Sequence, residues 1–237
     1  MIIKPTCEIL NCGNKFLTRP ISKCGSSTLR VSHSKHYDIM YVRELDIPHT
    51  FYPKNRQELI SLPILHCGLP FYCFLREPYS RFKSSIITSL TRYKSNIPGD
   101  STADELTPEY YEVLKSLDNN KDEKSLLTLL SLIERDEKKE EVVQIESHLT
   151  PMISHLGMFR INDPIIYKDY KEIDSILHKF KLGIGPHMND LNWAKKDTTT
   201  KDVEKIQNII DNNDSIRSKI KSIYKKDFDL YASKITS

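Results

Sequence analysis

Residues 16–29 have the sequence FLTRPISKCGSSTL, in which a short apolar segment precedes a lysine, a glycine and a run of small hydroxyl residues. The apolar part over 16–21 predicts a strand, and the residues over 26–36 predict a helix. Glycine lets a backbone approach a ligand closely, and the free N–H groups of a helix start attract anions. This arrangement therefore predicts a phosphate-binding loop after the strand. Its candidate ligands are Lys23, Cys24, Gly25, Ser26, Ser27 and Thr28.

A second segment, residues 70–84, repeats this organisation with the sequence PFYCFLREPYSRFKS. The apolar run over 71–75 predicts a buried strand, and the residues over 79–93 predict the helix that follows. A guanidinium can hold a phosphate through two parallel hydrogen bonds, which makes Arg76 and Ser84 candidates for a second phosphate site. Two phosphate-binding segments at two strand ends indicate a ligand with phosphates at both ends.

The remaining pattern alternates strands and helices, and it predicts an α/β fold with a mostly parallel sheet. We expect a single domain over residues 1–237, with a P-loop-like central parallel sheet flanked by helices and ligands bound beyond the carboxyl ends of the strands. Residues 95–147 differ, because two helices and a charged run predict a helical insertion or a flap over the acceptor site. The other predicted elements are strands at 39–42 and 165–167 and helices at 55–61, 101–117, 169–181 and 214–233.

The composition excludes several classes of protein. A hydrophobic fraction of 38% with 28% charged residues is ordinary for a globular enzyme. No apolar run approaches the ~20 residues that span a bilayer, and the N-terminus lacks the apolar core of a secretory signal. We therefore expect a cytoplasmic protein without stable membrane insertion. Five cysteines without a C-x-x-C motif argue against a disulfide scaffold or a zinc site, and Cys24 is expected to be a small turn residue rather than a reactive thiol.

Charge is distributed unevenly along the chain. The net charge of +3 is too small to indicate a nucleic-acid partner, yet residues 1–100 carry 14 Lys and Arg against 7 Asp and Glu. This basic part contains both candidate phosphate segments, as expected for a site that binds a polyanionic ligand. A nucleic-acid surface would show the same excess, so the charge supports an anion site without identifying the anion.

The two segments resemble the cofactor-binding motifs of sulfotransferases that use 3′-phosphoadenosine 5′-phosphosulfate (PAPS). The similarity is greatest to the membrane-associated carbohydrate sulfotransferases and their bacterial and viral relatives. Arg76 and Ser84 keep the separation of the family's R-D-P-x-x-R-x-x-S-like segment, although Glu77 replaces its aspartate and Ser22 replaces the proline before Lys23. Residues 146–151, 186–189 and 223–228 resemble the family's H-W-x-P segment, its late asparagine-containing loop and its Y-x-x-D-F helix.

The resemblance implies a set of roles. Lys23 and the loop after it would bind the 5′-phosphosulfate, and Lys23 would stabilise the leaving phosphate. Arg76 and Ser84 would bind the 3′-phosphate. PAPS would be the co-substrate, with no metal, and the acceptor would be a hydroxyl group, most simply of a saccharide. Adenine stacking must come from elsewhere, because Thr28 stands where many cytosolic family members have tryptophan.

Several roles stay open at this stage. Family members place a histidine or glutamate as base before the arginine motif, and here His49 is the first candidate and Glu44 the alternative. Arg81 is either a second phosphate contact or a structural residue, and His148 either contacts acceptor or cofactor or is structural. A P-loop nucleotide or small-molecule kinase is an alternative function, although G-x-x-x-x-G-K-[ST] is missing around Lys23. A non-catalytic module that binds nucleotides or nucleic acids is another alternative. The sequence leaves the oligomeric state undetermined.

Overall fold

The computed structural model describes residues 8–12, 15–19, 21, 23–26, 29, 41–43, 69–94, 107–138, 148–156, 165–182 and 200–236. The chain divides into two compact units. The sheet unit comprises Ile2–Arg76, Met152–Leu191 and Asp229–Ser237, and the helical unit comprises Glu77–Pro151 and Asn192–Phe228.

The sheet unit contains a five-stranded sheet with the order β3-β1-β2-β4-β5. Its strands are β1 (Glu8–Cys12), β2 (Phe16–Thr18), β3 (Tyr41–Arg43), β4 (Phe71–Leu75) and β5 (Ile165–Asp169). Strand β4 lies parallel to both β2 and β5, with Phe71 opposite Leu17 on one side and Ile165 on the other. Strand β1 is antiparallel to both β2 and β3.

The α/β class predicted from the sequence is confirmed, but the sheet is mixed rather than mostly parallel. Strand β1 was not anticipated, and it forms a tight hairpin with β2 in which the Lys15 N–H donates to the Cys12 carbonyl at 3.0 Å. The sequence of β1, EILNC, contains glutamate and asparagine and lacks a continuous apolar run. Strand β1 therefore lacks the hydrophobic pattern from which a strand is predicted.

The helices have the following bounds: α1 (Pro78–Lys94), α2 (Pro108–Asn120), α3 (Glu123–Glu137), α4 (Met152–Leu156), α5 (Ile173–Lys179), α6 (Thr200–Asn212), α7 (Asp214–Ile223) and α8 (Lys225–Tyr231). A 3₁₀ turn (Tyr170–Glu172) joins β5 to α5, and a π-helical segment (Ala232–Thr236) follows α8. The single helix predicted over 214–233 is therefore interrupted at Tyr224. Within the described residues, no helix is both long and apolar enough to cross a bilayer.

Strand β4 organises the core of the sheet unit, because all five of its residues are buried. Tyr72 and Phe74 pack on one side of the sheet with Phe16 and the apolar residues of α5. Cys73 and Leu75 pack on the other side in a cluster with Ile21, Cys24 and Met152. Since successive side chains of a strand point to opposite faces, this alternation shows that the sheet is covered on both faces.

The helical unit has its own core, which includes the residues predicted as an insertion. Helices α2 and α3 bury apolar residues in one cluster with α1, α6 and α7. Helix α2 is capped by Thr107, whose hydroxyl accepts from the Tyr110 N–H, and α3 is capped by Asp122, whose carboxylate accepts from the Ser125 N–H at 2.8 Å. Such caps satisfy N–H groups that a helix leaves unpaired and define where each helix begins.

Candidate active site

The predicted phosphate loop is a tight turn that follows β2 and opens a helix. The Cys24 N–H donates to the Ile21 carbonyl at 3.0 Å, and the Leu29 N–H donates to the Gly25 carbonyl at 3.1 Å. Gly25 is thus the residue before the first helical turn, and Ser26 begins the helix.

The backbone of this turn alternates in the sign of φ. Lys23 has φ +66° and Gly25 has φ +78°, while Cys24 between them has a negative φ. Alternating φ signs are typical of backbone concavities whose N–H groups bind anions, but here the Cys24 N–H already donates to the Ile21 carbonyl. Side chains are disfavoured in the left-handed region, so the surrounding turn must hold Lys23 in this conformation.

Gly25 is required by packing as well as by its backbone conformation. A Cβ atom at this position would lie 2.1 Å from Cδ1 of Ile173, the first residue of α5. The predicted phosphate loop therefore packs directly on α5, and any side chain at residue 25 would require the Ile173 side chain to shift.

The Cys24 side chain packs in the apolar core. It is fully buried, and its thiol donates to the Met152 sulfur at 3.5 Å. Because its N–H is also bonded within the turn, both groups with which Cys24 could bind a phosphate are engaged inside the protein. This agrees with the expectation of a small turn residue. Burial raises the pKa of Cys73 in the same cluster and raises the pKa of Cys12 to about 12, which disfavours reactive thiolates at both positions.

Arg76 follows β4 directly and reaches the phosphate turn. Its Nη1 donates to the Lys23 carbonyl at 3.3 Å, and its Cζ lies 4.9 Å from the centroid of the Tyr170 ring. Its Nε is buried and has no hydrogen-bond acceptor among the residues that the structure describes. Because β2, β4 and β5 are parallel, the segments after them meet at one edge of the sheet. The structure thus brings Lys23 and Arg76 together, as the two motifs predicted.

Glu77, which stands where the sulfotransferase motif has aspartate, caps helix α1. Its carboxylate oxygens accept from the N–H groups of Tyr79 at 3.0 Å and Ser80 at 2.8 Å, and its carbonyl accepts from the Arg81 N–H at 2.9 Å. Pro78 occupies the first helical position, where its missing N–H costs nothing. The start of α1 is therefore satisfied by the protein itself, and an anion would have to be held by side chains rather than by these amides.

Arg81 is a structural residue of the helical unit. It is 2% exposed, and its Nη2 donates to the carbonyls of Thr150 at 2.7 Å and His148 at 3.4 Å. The Tyr224 hydroxyl donates to the Leu149 carbonyl between them at 2.6 Å. The backbone carbonyls of three consecutive residues in the segment that resembles H-W-x-P, His148 to Thr150, thus accept hydrogen bonds from buried side chains. This assigns a structural role to Arg81 and to the tyrosine of the Y-x-x-D-F-like segment.

Ser84 lies in α1 within the helical unit and is half-buried. Its carbonyl accepts from the Thr88 hydroxyl at 3.2 Å, an interaction within the helix. His148 lies in a turn and is half-buried. Their roles towards a ligand stay predictions.

The charged run at the end of α3 forms ion pairs on the surface of the helical unit. Glu134 accepts hydrogen bonds from Lys138 at 2.7 Å and from Lys219 at 2.6 Å. These two bonds lower the pKa of Glu134 to about 2. This part of the run is a solvated helix face held by ion pairs.

Other predicted residues lie outside the described part of the chain. These are Ser27, Thr28, His49, Glu44 and the late loop at 186–189. The charged residues at 139–147 also lie outside it.

Asp169, the last residue of β5, and Tyr170, the next residue, lie at the same sheet edge and were not predicted from the sequence. The Asp169 carboxylate accepts from the Lys171 N–H at 2.9 Å and from the Tyr231 hydroxyl at 2.5 Å. The available signal was their position, since they come within three residues of the strand predicted at 165–167. In the described ranges, no group of three histidine, cysteine or acidic side chains could hold a metal ion.

No protein-family model, curated protein or solved structure matches this chain.

Proposed function

We propose that this protein is a PAPS-dependent sulfotransferase with a P-loop-like site, which transfers a sulfuryl group to a hydroxyl of a carbohydrate acceptor. The observation that carries the proposal is the hydrogen bond from Arg76 to the Lys23 carbonyl. Two segments that were predicted to bind phosphate, 53 residues apart and each identified by its own motif, lie in contact at the carboxyl edge of parallel strands. A ligand with a phosphate at each end is the simplest partner for this pair.

The local geometry fits phosphate groups. The turn at Lys23 and Gly25 has the alternating φ signs of an anion-binding nest. The buried Arg76 Nε, which has no acceptor among the described residues, is a donor that an anion could satisfy. Leaving such a donor unpaired costs about 1–3 kcal/mol, so a bound phosphate would recover a comparable free energy.

The chemistry follows from the charge that builds up during transfer. The acceptor oxygen forms a bond to sulfur, the bond from sulfur to the bridging oxygen breaks, and the acceptor proton passes to a base. Lys23 would stabilise the negative charge that develops on the departing 5′-phosphate. Arg76 would bind the 3′-phosphate and so distinguish PAPS from other adenine nucleotides, and Ser84 stays a sequence prediction for this role.

The base stays a sequence prediction. His49 is the first candidate and Glu44 the alternative. A base contacts the acceptor and not the nucleotide, so His49→Ala should reduce turnover while leaving the affinity for adenosine 3′,5′-bisphosphate unchanged. Full activity of this variant would transfer the assignment to Glu44.

A kinase is a weaker candidate because the carboxylate of Asp169 is already hydrogen-bonded within the protein. A P-loop kinase needs an acidic residue near its phosphate loop to hold Mg²⁺. Asp169 ends a neighbouring strand, but each of its carboxylate oxygens already accepts a hydrogen bond from Lys171 or Tyr231. Sulfuryl transfer needs no metal at this position.

Isothermal titration with three ligands tests the proposal. The ligands are adenosine 3′,5′-bisphosphate, ATP with Mg²⁺, and a single-stranded oligonucleotide. We expect the bisphosphate to bind most tightly, and radiolabelled PAPS then to label a hydroxyl acceptor in a saccharide panel. Tightest binding of ATP with Mg²⁺ would favour a kinase, and tightest binding of the oligonucleotide would favour a nucleic-acid-binding module.

A further inference from the structure

The C-terminal segment of the sheet unit is attached to the sheet edge that carries the proposed site. The Tyr231 hydroxyl, at the end of α8, donates to Asp169 Oδ2 at 2.5 Å across 62 residues of sequence. Leu230, Tyr231 and Ile235 also pack against the apolar cluster that contains Cys24. A hydrogen bond to a carboxylate is among the stronger ones in proteins, so this contact fixes the position of the Asp169 side chain.

Asp169 in turn fixes the segment that begins with Tyr170. Its Oδ1 accepts from the Lys171 N–H at 2.9 Å, and its own N–H donates to Glu172 Oε1 at 3.2 Å. Together these bonds form a capping box at the start of the 3₁₀ turn. One carboxylate thus serves two partners, the turn that contains Tyr170 and the hydroxyl of Tyr231.

Tyr170 carries this restraint to Arg76. Its ring lies under the Arg76 guanidinium, with 4.9 Å between Cζ and the ring centroid. The ring holds the guanidinium plane, while Nη1 is held by the Lys23 carbonyl at 3.3 Å. Cation–π contacts and hydrogen bonds both depend on orientation, so a displaced ring would turn the guanidinium edge that faces a ligand.

We infer that Tyr231 and Asp169 are positioning residues for Arg76, acting through Tyr170. This inference rests on the proposed function, in which Arg76 selects the 3′-phosphate. Tyr231 touches no reacting atom. It sets the orientation of the arginine, and the C-terminal segment is therefore part of the cofactor-selecting apparatus.

The test compares two tyrosine hydroxyls with similar bonds. Tyr231→Phe removes the bond to Asp169, and the control Tyr224→Phe removes the 2.6 Å bond to the Leu149 carbonyl in the helical unit. The readout is the ratio of affinities for adenosine 3′,5′-bisphosphate and adenosine 5′-monophosphate. We expect Tyr231→Phe to reduce this ratio by about fivefold, a size common for coupling within one contact network, and Tyr224→Phe to leave it unchanged. An unchanged ratio in Tyr231→Phe would overturn the inference.

A second measurement separates this inference from the proposed function. Denaturation midpoints of the ligand-free wild type, Tyr231→Phe, Arg76→Ala and the double variant form a cycle that needs no nucleotide. If Tyr231 restrains Arg76 through Tyr170, the double variant should lose less stability than the sum of the losses in the two single variants. Additive losses would overturn the inference even if the wild type selects the bisphosphate. Coupling in a protein that binds neither nucleotide would support the contact chain and refute the proposed function.

Discussion

Replacement of Gly25 by alanine tests the packing of the phosphate turn on α5. The new Cβ would lie 2.1 Å from Cδ1 of Ile173, which is 3% exposed, at a residue with φ +78°. A left-handed alanine costs about 1–2 kcal/mol, and forcing a methyl group into a packed site costs about 1–3 kcal/mol. The lower entropy of the unfolded alanine chain offsets about 0.4–1 kcal/mol. The free energy of unfolding should therefore fall by about 1–5 kcal/mol.

A double-mutant cycle isolates the steric part of this loss. Ile173→Val removes Cδ1 and should cost about 0.5–1.5 kcal/mol alone. When Gly25→Ala and Ile173→Val are combined, the clash with Cδ1 disappears while the cost of the left-handed backbone remains. The loss in free energy of unfolding should therefore be about 1–3 kcal/mol smaller than the sum of the two single losses. Urea denaturation followed by circular dichroism gives all four free energies of unfolding.

Ile176→Val provides the matched control. Ile176 belongs to the same helix and the same apolar cluster, but it is not among the atoms that crowd Gly25. The loss in free energy of unfolding caused by Ile176→Val should add to that caused by Gly25→Ala within about 0.5 kcal/mol. If Ile173→Val were equally additive, the proposed contact between the turn and α5 would be refuted.

Three further predictions concern other parts of the site and its support. Lys23→Gly and Lys23→Ala should both lose about a hundredfold or more in the rate of sulfuryl transfer. The glycine variant should nevertheless be more stable than the alanine variant, by up to about 1.5 kcal/mol, because glycine adopts the left-handed backbone at φ +66° without strain. Equal denaturation midpoints of the two would contradict this. Glu77→Ala should cost about 0.5–2 kcal/mol in a thermal melt, since it removes the cap from the Tyr79 and Ser80 N–H groups, and an unchanged melting temperature would argue against the cap. The pKa of Glu134 is lowered to about 2 in the folded protein. Its contribution to the free energy of unfolding is therefore fully present above the unfolded-state pKa of about 4.3 and is lost as the pH falls through 2. Glu134→Gln should therefore be less stable than the wild type at pH 7 but equal to it near pH 2, and a gap independent of pH would refute the ion pairs.

The elements with strong local patterns were predicted well from the sequence. Strand β4 was expected at 71–75 and occupies Phe71–Leu75, because a continuous apolar run between turn residues has few alternatives. Helix α1 was expected at 79–93 and occupies Pro78–Lys94. The break at Tyr224 was not predicted; in the structure Tyr224 is the C-cap of α7, and its hydroxyl donates to the Leu149 carbonyl.

The candidate site was predictable only where one short segment carries the chemistry. Lys23, Gly25 and Arg76 lie in motifs whose residue types indicate phosphate binding. Asp169 could not be found in this way, because its partner Tyr231 is 62 residues away and only the fold brings them together. The sequence could not decide between the two roles of Arg81, because its hydrogen-bond acceptors are backbone carbonyls, which every residue has.

Selection of the 3′-phosphate by Arg76 is the central claim, and a comparison of two nucleotides tests it most directly. The affinities of the wild type and of Arg76→Ala for adenosine 3′,5′-bisphosphate and adenosine 5′-monophosphate should be measured by calorimetry at one ionic strength. A charge-assisted contact of about 1.5–3 kcal/mol predicts that the wild type prefers the bisphosphate by roughly ten- to a hundredfold. Arg76→Ala should abolish this preference while binding the monophosphate much as before. Equal binding of the two nucleotides by the wild type would contradict the account.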